Sequence, residues 1–181
     1  PKNIETAITI QEPLPAVLGD ATQLHQVLLN LCVNARDAMP GGGRLSISAQ
    51  PFEAVESTLR NVPEAKPGLY VALSVEDDGE GMSPQIMERI FDPFFTTKAV
   101  DKGSGLGLST VLKIVRDHGG FLNVYSQPGA GSTFNIYLPT EPGRGPTVRP
   151  RHRHVARTAQ PGHFGQRPCR GALLAVGRLP G

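Results

Sequence analysis

The chain has 181 residues, enough for one domain of ordinary size and too few for two. It is 39% hydrophobic and 19% charged, and no apolar run approaches the roughly 20 residues of a membrane-spanning helix. Its net charge of +2 averages two unlike segments, because residues 1–140 carry 10 basic and 15 acidic side chains whereas residues 141–181 carry eight Arg and one acid.

The first half of the chain predicts a strand, a helix and two further strands. Residues 4–10 alternate at period two, which is typical of a half-buried strand. Asp20 and Gln23 form a capping-box pattern at the start of a helix, which should end at Pro40 and the following glycines. Strands are predicted near residues 44–50 and 69–76. Residues 51–68 are polar and contain three Pro, so we expect a surface excursion between these strands.

The second half predicts two helices and a hairpin. A short helix is expected near residues 83–90, and a longer one near residues 106–118, ended by two glycines. Two final strands, near residues 121–126 and 132–138, should meet at the Pro- and Gly-containing turn between them. Residues 1–140 therefore read as one α/β domain.

The tail from Glu141 has a different character. It holds 6 Pro and 7 Gly in residues 141–181, shows little periodicity, and is predicted to be disordered. An out-of-frame or vector-derived origin would explain its Arg, Pro and Gly bias. Metal binding by His152, His154 and His163, or nucleic-acid contact through the eight Arg, is the less favoured interpretation.

Polar side chains form one face of the first helix. Asn30, Asn34 and Asp37 are spaced at i, i+4 and i+7, so they line up on one side. A solvated surface is the default interpretation, but Asn is a mediocre helix former and two in register with Asp make a poor surface. Carboxamide and carboxylate oxygens are ligands that Mg²⁺ accepts.

Two glycine-rich turns follow. Asp77 ends a predicted buried strand and is followed by Gly79, Gly81 and Met82, a pattern suited to accepting a hydrogen bond from a base or simply to a tight turn. Residues 103–109 then open a helix whose backbone N–H groups would favour phosphate. Neither the dinucleotide fingerprint nor the P-loop is present.

A phenylalanine-rich segment lies between these turns. Phe91, Phe94 and Phe95 occur within five residues, beside Lys98 and the polar residues 99–102. They indicate either a hinged flap with apolar anchors or ordinary core. Lys98 and Lys102 would lie near bound phosphates if the segment is a flap.

The order of these motifs resembles one family. The Asn-bearing helix, Asp77-x-Gly-x-Gly, the phenylalanine-rich flap, Gly103-x-Gly-Leu-Gly-Leu and residues 129–134 resemble the N, G1, F, G2 and G3 boxes of sensor histidine kinases. The resemblance covers about residues 1–140. It points to the catalytic, ATP-binding domain of the GHKL superfamily, in its nitrogen-regulator or hybrid-kinase form.

The resemblance implies a two-layer α/β sandwich, the Bergerat fold, whose mixed, mostly antiparallel sheet carries helices on one face. It implies ATP and Mg²⁺ as ligands, with Asp77 on the adenine amino group and Asn34 on the metal. Arg36 is a further possible polyphosphate contact. The full set of residues expected to bind ATP is Asn30, Asn34, Asp37, Asp77, Gly79, Gly81, Met82, Phe91, Lys98, Gly103, Ser104, Gly105, Leu106, Gly107, Leu108 and Ser132.

One residue separates the branches of this superfamily. Hydrolysing relatives carry a Glu four residues before the Mg²⁺-binding Asn, where this chain has Asn30. An amide cannot take a proton from water, so the sequence argues against hydrolysing clamps and anti-sigma serine kinases. A non-enzymatic relative that uses nucleotide to change partner contacts remains an alternative.

The partners implied by the resemblance are not found in the chain. Its five His have no phosphoacceptor context, so we expect no catalytic residue of its own and no autophosphorylation. The dimerisation domain that carries the substrate His, and the receiver domain of a response regulator, are expected as separate partners. Because the chain starts at Pro1 without Met, we expect a piece of a longer protein. Its two cysteines suit a cytoplasmic location, and neither nucleic-acid nor membrane contact is expected.

Overall fold

The structure is a computed structural model that describes residues 3–56, 59, 65–98 and 103–140, and the backbone of residues 172–176. In these residues the elements are β1 (Ile4–Ile10), α1 (Ala21–Asp37), β2 (Gly43–Ala54), β3 (Gly68–Asp77), α2 (Pro84–Met87), α3 (Gly107–Asp117), β4 (Phe121–Gln127), β5 (Gly131–Pro139) and β6 (Ala172–Val176). No helix among them is both long enough and apolar enough to cross a bilayer.

The strands form one mixed sheet in the order β1-β2-β3-β5-β4-β6. Only the β1–β2 pair is parallel, and every other neighbouring pair is antiparallel. The β3–β5 register places Asp77 opposite Ser132, so the end of the central strand meets the start of the final hairpin strand. The predicted mixed, mostly antiparallel sheet is confirmed.

Helix α1 begins where the sequence predicts. The Asp20 side chain accepts hydrogen bonds from the backbone N–H groups of Thr22 and Gln23, at 2.7 and 3.1 Å, which satisfies two orphan donors of the first turn. The backbone N–H of Asp20 donates to Nε2 of His118, at 3.1 Å, instead of to the Gln23 side chain of a full capping box. The start of α1 is thereby tied to the end of α3.

Both longer helices lie on one face of the sheet. Val27, Leu31 and Ala35 of α1 recur at helical spacing and are buried in the same core as Val111 and Val115 of α3. The sheet contributes alternate residues of its central strands, including Val75, Leu122, Val124, Phe134, Ile136 and Leu138. This packing confirms the predicted two-layer α/β sandwich.

The opposite face of the sheet carries a second, aromatic cluster. Phe121 stacks on Tyr137 with ring centroids 4.5 Å apart, and Tyr70 meets Phe121 edge-on at 5.3 Å. Phe52 and Leu59 extend this cluster. Since side chains alternate between faces along a strand, the face that carries these rings is the one turned away from the helices.

Three elements differ from the sequence-based expectation. Strand β2 continues through Pro51 to Ala54. Because β1 pairs with β2 only as far as Ala49, Pro51 lies where β1 no longer requires an N–H donor from β2, so a residue without a backbone N–H is tolerated. Helix α2 spans only Pro84–Met87, four residues, instead of residues 83–90. Residues 172–176 of the tail form β6 against β4, so the prediction of disorder does not hold for them. The rest of the tail, including its three His, lies outside the described residues.

Candidate functional site

A cleft of about 490 Å³ opens between the helical layer and the segment that follows α2. One wall comes from the C-terminal half of α1, and another comes from the residues leading into α3. The carboxyl end of β3 and the start of β5 contribute Asp77, Ser132 and Phe134. The cleft therefore lies where the ends of two central strands meet the ends of two helices.

The polar face of α1 points into this cleft, as its spacing predicts. Asn30, Asn34 and Asp37 all line the cleft. The Asn30 amide donates to the backbone carbonyl of Gly107 at 3.3 Å, which joins α1 to the start of α3. A Cβ added at Gly107 would meet Asn34 and Asn30 at 3.9 and 4.0 Å, which are ordinary van der Waals distances, so the space here would accept a methyl group.

Asp77 is a buried carboxylate at the inner end of the cleft. Its side chain is 5% exposed, and its Oδ1 accepts a hydrogen bond from the backbone N–H of Gly79 at 3.0 Å. Burial raises the pKa of Asp77 from its ordinary value of 3.8 to about 6, against the lowering effect of hydrogen bonds from Gly79 and Ser132. A carboxylate whose pKa is raised by burial in this way is typical of a binding site.

The turn after Asp77 packs directly on the β4–β5 hairpin. A Cβ at Gly81 would collide with the backbone of Gln127, and one at Gly131 would collide with the backbone of Asp77. Both glycines have positive φ, 64° and 84°, which other residues rarely adopt. The hydroxyl of Ser126 completes the junction, since it accepts from the Met82 N–H at 2.8 Å and lies 3.0 Å from the Ser132 hydroxyl.

The glycine-rich residues before α3 form the opposite end of the cleft. No side chain of a described residue caps the N-terminus of α3, so within that part of the chain its first N–H groups are open to an anionic ligand. Gly105 has a φ of 67°, and a Cβ there would collide with the backbone of Phe94. The Phe94 N–H donates to the Gly105 carbonyl at 3.1 Å. The glycine-rich loop and the phenylalanine-rich segment thus support each other through their backbones.

The three phenylalanines of that segment have three different environments. Phe91 is buried in the core, Phe94 is 74% exposed with a φ of 67°, and Phe95 lines the cleft beneath the Arg89 guanidinium, 4.4 Å from the ring centroid. Phe91 therefore fits the interpretation as ordinary core, whereas Phe94 and Phe95 lie outside the core, and the hinged flap stays a prediction. Residues 99–102, with Lys102, lie outside the described residues.

Lys98 crosses the cleft to α1. Its Nζ lies 2.6 Å from Oδ2 of Asp37 and 3.3 Å from Oδ1 of Asn34. A carboxamide and a carboxylate oxygen thus converge on one positive charge, and this donor pair also suits Mg²⁺. Among the described residues no group of three or more His, Cys, Asp or Glu could hold a metal ion, so further ligands would have to come from a bound phosphate or water.

Most residues expected to bind nucleotide line the cleft, but three do not. Gly79 lies behind the cleft, where a Cβ would collide with the Ala38 carbonyl. Phe91 lies in the core, and Leu106 is the exposed N-cap residue of α3. The structure adds apolar wall residues that the sequence did not single out, because periodicity does not separate core from pocket wall: Val33, Ile86, Ile90 and Phe134.

Comparison with known proteins identifies the family of this fold and site. Residues 19–142 match the family described as histidine kinase-, DNA gyrase B-, and HSP90-like ATPase. Sensor kinase CckA of Brucella abortus is 45% identical over 141 residues, which are 76% of this chain and 15% of CckA. Sensor histidine kinase ZraS of Escherichia coli is 39% identical over 138 residues, which are 76% of this chain and 26% of ZraS. The chain thus spans only a small part of these relatives.

Solved structures agree with this match. The mycobacterial sensor histidine kinase MprB has a TM-score of 0.59 at 32% identity, covering 78% of this chain and 85% of that one. Full-length ShkA in complex with AMPPNP has a TM-score of 0.61 at 31% identity, covering 80% of this chain and 27% of that one. The chain therefore belongs to the histidine kinase-, DNA gyrase B- and HSP90-like ATPase family, and it carries an ATP-binding catalytic domain of the sensor histidine kinase type.

Proposed function

We propose that this chain binds Mg-ATP in the cleft and presents the γ-phosphoryl group to a histidine on a separate dimerisation domain. Asp77 accepts from the adenine amino group at the inner end. The N-terminus of α3 and residues 103–107 hold the phosphates, and Asn34 ligates Mg²⁺. When bound, Mg²⁺ supplies charge stabilisation on the phosphates. A response regulator receiver domain in the cytoplasm, where ATP is available, would then accept the phosphoryl group from that histidine.

The observation that carries this proposal is the amide at position 30. It lies in the cleft four residues before Asn34 and donates to the Gly107 carbonyl, so it positions α3 and offers no base for water. Asp37, the carboxylate that shares Lys98 with Asn34, is also bound by Arg36, which makes this particular carboxylate a weak base. An acceptor histidine brings its own nucleophilic nitrogen, so positioning and charge stabilisation are what the domain has to supply.

The first prediction tests the reaction itself. The isolated chain, incubated with labelled Mg-ATP, should neither label itself nor release phosphate steadily. Adding the dimerisation domain of the longer protein should give an acid-labile, alkali-stable label on that domain, as expected for phosphohistidine. The same domain without its acceptor histidine is the control. Binding of ATP without transfer would favour a nucleotide-controlled binding module, and rapid turnover by the chain alone would favour a hydrolysing relative.

Asp77→Asn should weaken ATP binding and stabilise the fold. Loss of a charged acceptor costs about 1.5–3 kcal/mol, or roughly ten- to a hundredfold in affinity, measured by calorimetry. Because the pKa of Asp77 is raised in the folded state, its protonated carboxyl stabilises the fold fully below pH 3.8. This contribution to stability is lost as the pH rises through about 6. At pH 7.5 the ionised Asp77 therefore destabilises the fold, and the amide should be more stable by roughly 1–3 kcal/mol.

Denaturant unfolding at two pH values checks the sign of this effect. The stability difference between Asp77→Asn and wild type should shrink between pH 7.5 and pH 4, because the wild-type carboxyl becomes neutral. A variant that is less stable than wild type at pH 7.5 would contradict the assigned cost of burying this charge. Unchanged ATP affinity in Asp77→Asn would contradict its assignment to adenine.

Asn34→Ala should remove most of the gain in ATP affinity that Mg²⁺ provides. Loss of a direct oxygen ligand should weaken Mg-ATP binding by about 10–100-fold while changing metal-free ATP binding little. Calorimetry with and without EDTA measures the two affinities. Asn135→Ala is the matched control, because Asn135 alternates with the inward-facing Phe134 on β5 and so faces away from the cleft. An undiminished Mg²⁺ effect in Asn34→Ala would place the ion elsewhere.

Gly105→Ala should disrupt the phosphate end of the cleft. The new Cβ would collide with the Phe94 backbone at a φ of 67°, so the loop must shift at a cost of about 1–3 kcal/mol. ATP affinity should fall at least tenfold in calorimetry. Gly41→Ala is the control, because nothing lies within 4 Å of a Cβ at Gly41. Equal affinity in both variants would mean that the loop does not touch the phosphates.

A further inference from the structure

Lys98 forms a contact that joins the end of the phenylalanine-rich segment, residues 91–98 and here called the flap segment, to the polar face of α1. Its ammonium lies 2.6 Å from Oδ2 of Asp37 and 3.3 Å from Oδ1 of Asn34, and its backbone N–H is fixed by a 3.1 Å hydrogen bond to the Thr96 hydroxyl. The Lys98 and Asp37 side chains are 32% and 24% exposed. The Lys113–Asp117 pair has the same 2.6 Å separation but is 75% and 52% exposed. The Lys98 contact is therefore the more shielded of two otherwise similar ion pairs.

The Lys98 contact uses the oxygen expected to ligate Mg²⁺. Magnesium binds oxygen at about 2.0–2.1 Å and demands near-ideal octahedral geometry. An ammonium within 3.3 Å of the same Asn34 oxygen would be beside the ion, where two like charges repel strongly. Lys98 and Mg²⁺ would therefore compete for the Asn34 oxygen in this arrangement.

We propose that Lys98 is a built-in substitute cation, which holds the Mg²⁺ position in the nucleotide-free protein and is displaced when Mg-ATP binds. The inference rests on the proposed function and deepens it. Displacement would free the end of the flap segment from α1, so loading of metal and release of the flap become one event. When ATP binds without Mg²⁺, Lys98 would stay in place and its ammonium would contact the phosphates.

Arg36 makes this exchange feasible for Asp37. Its Nε and one terminal nitrogen donate to Oδ1 of Asp37, at 2.9 and 2.7 Å, whereas Lys98 contacts the other oxygen, Oδ2. Burial opposes ionisation of Asp37, but the hydrogen bonds and charges of Lys98 and Arg36 hold its pKa below the usual value. When Lys98 leaves, the carboxylate keeps one cationic partner and gains a free oxygen toward the metal's water shell.

The test compares ATP binding to the full 181-residue chain with Mg²⁺ and with EDTA, by calorimetry with a non-hydrolysable ATP analogue. Lys98→Met should weaken metal-free binding by about tenfold, because a charge-assisted contact is lost. Its Mg²⁺-bound affinity should stay within about threefold of wild type, so the ratio of the two affinities rises. Lys98→Arg should keep a ratio near that of wild type. Lys113→Met is the control and should change neither affinity.

Two outcomes of that comparison would overturn the inference. An equal loss in both conditions would make Lys98 an ordinary phosphate ligand with or without metal. No change in either condition would mean that its charge is not used. Failure of wild type to bind the analogue at all would instead overturn the proposed function.

Hydrogen exchange without nucleotide tests the contact independently of ATP binding. Backbone amides of residues 94–98 should exchange several-fold faster in Lys98→Met than in wild type, since the tether to α1 is removed. Lys113→Met should match wild type. Equal exchange in all three proteins would overturn the proposed role of Lys98. Thermal unfolding of each variant shows whether the fold is kept.

Discussion

The site depends on α1 and α3 being held side by side at both ends of α3. At one end Nε2 of His118 accepts from the backbone N–H of Asp20, the N-cap residue of α1, while its Nδ1 lies 2.8 Å from the Ile114 carbonyl. At the other end Asn30 donates to the carbonyl of Gly107. Between these ties Val27, Leu31 and Val111 share one core. The cleft is the gap that remains where the paired helices pass the end of the sheet.

The two carboxylates Asp77 and Asp37 have different partners in the cleft. The inner end has the buried carboxylate of Asp77, which meets backbone N–H groups and no cation in the described residues. Asp37, which also lines the cleft, is bound by two cations, Lys98 and Arg36. Under the proposed function, Asp77 would accept from the base, and the Asn34–Asp37 side of the cleft would take the phosphates together with a cation. That difference would give the nucleotide one direction in the cleft.

Local patterns predicted most of this structure, and contacts between distant segments were what they missed. The Asp20 cap and the alternating strands depend on neighbours in sequence, so their motifs were sufficient. His118 lies 98 residues from Asp20, and Lys98 lies 61 residues from Asp37. Neither pair has a sequence signal, because each exists only after the sheet has brought the helices together. The extension of β2 through Pro51 likewise depends on where its neighbour β1 ends.

The junction of Gly81 and Gly131 limits how the domain can change over evolution. The turn after β3 and the β4–β5 hairpin touch backbone to backbone, with no space for a side chain between them. Point substitutions at these two glycines therefore have little means of reshaping the junction, and a different path of the two turns would need an insertion or deletion in one of them. The outer end is built from side chains such as Lys98 and Arg36, which single mutations can alter. The shape of this junction is thus fixed by backbone contacts, while the side chains across the cleft remain open to gradual variation.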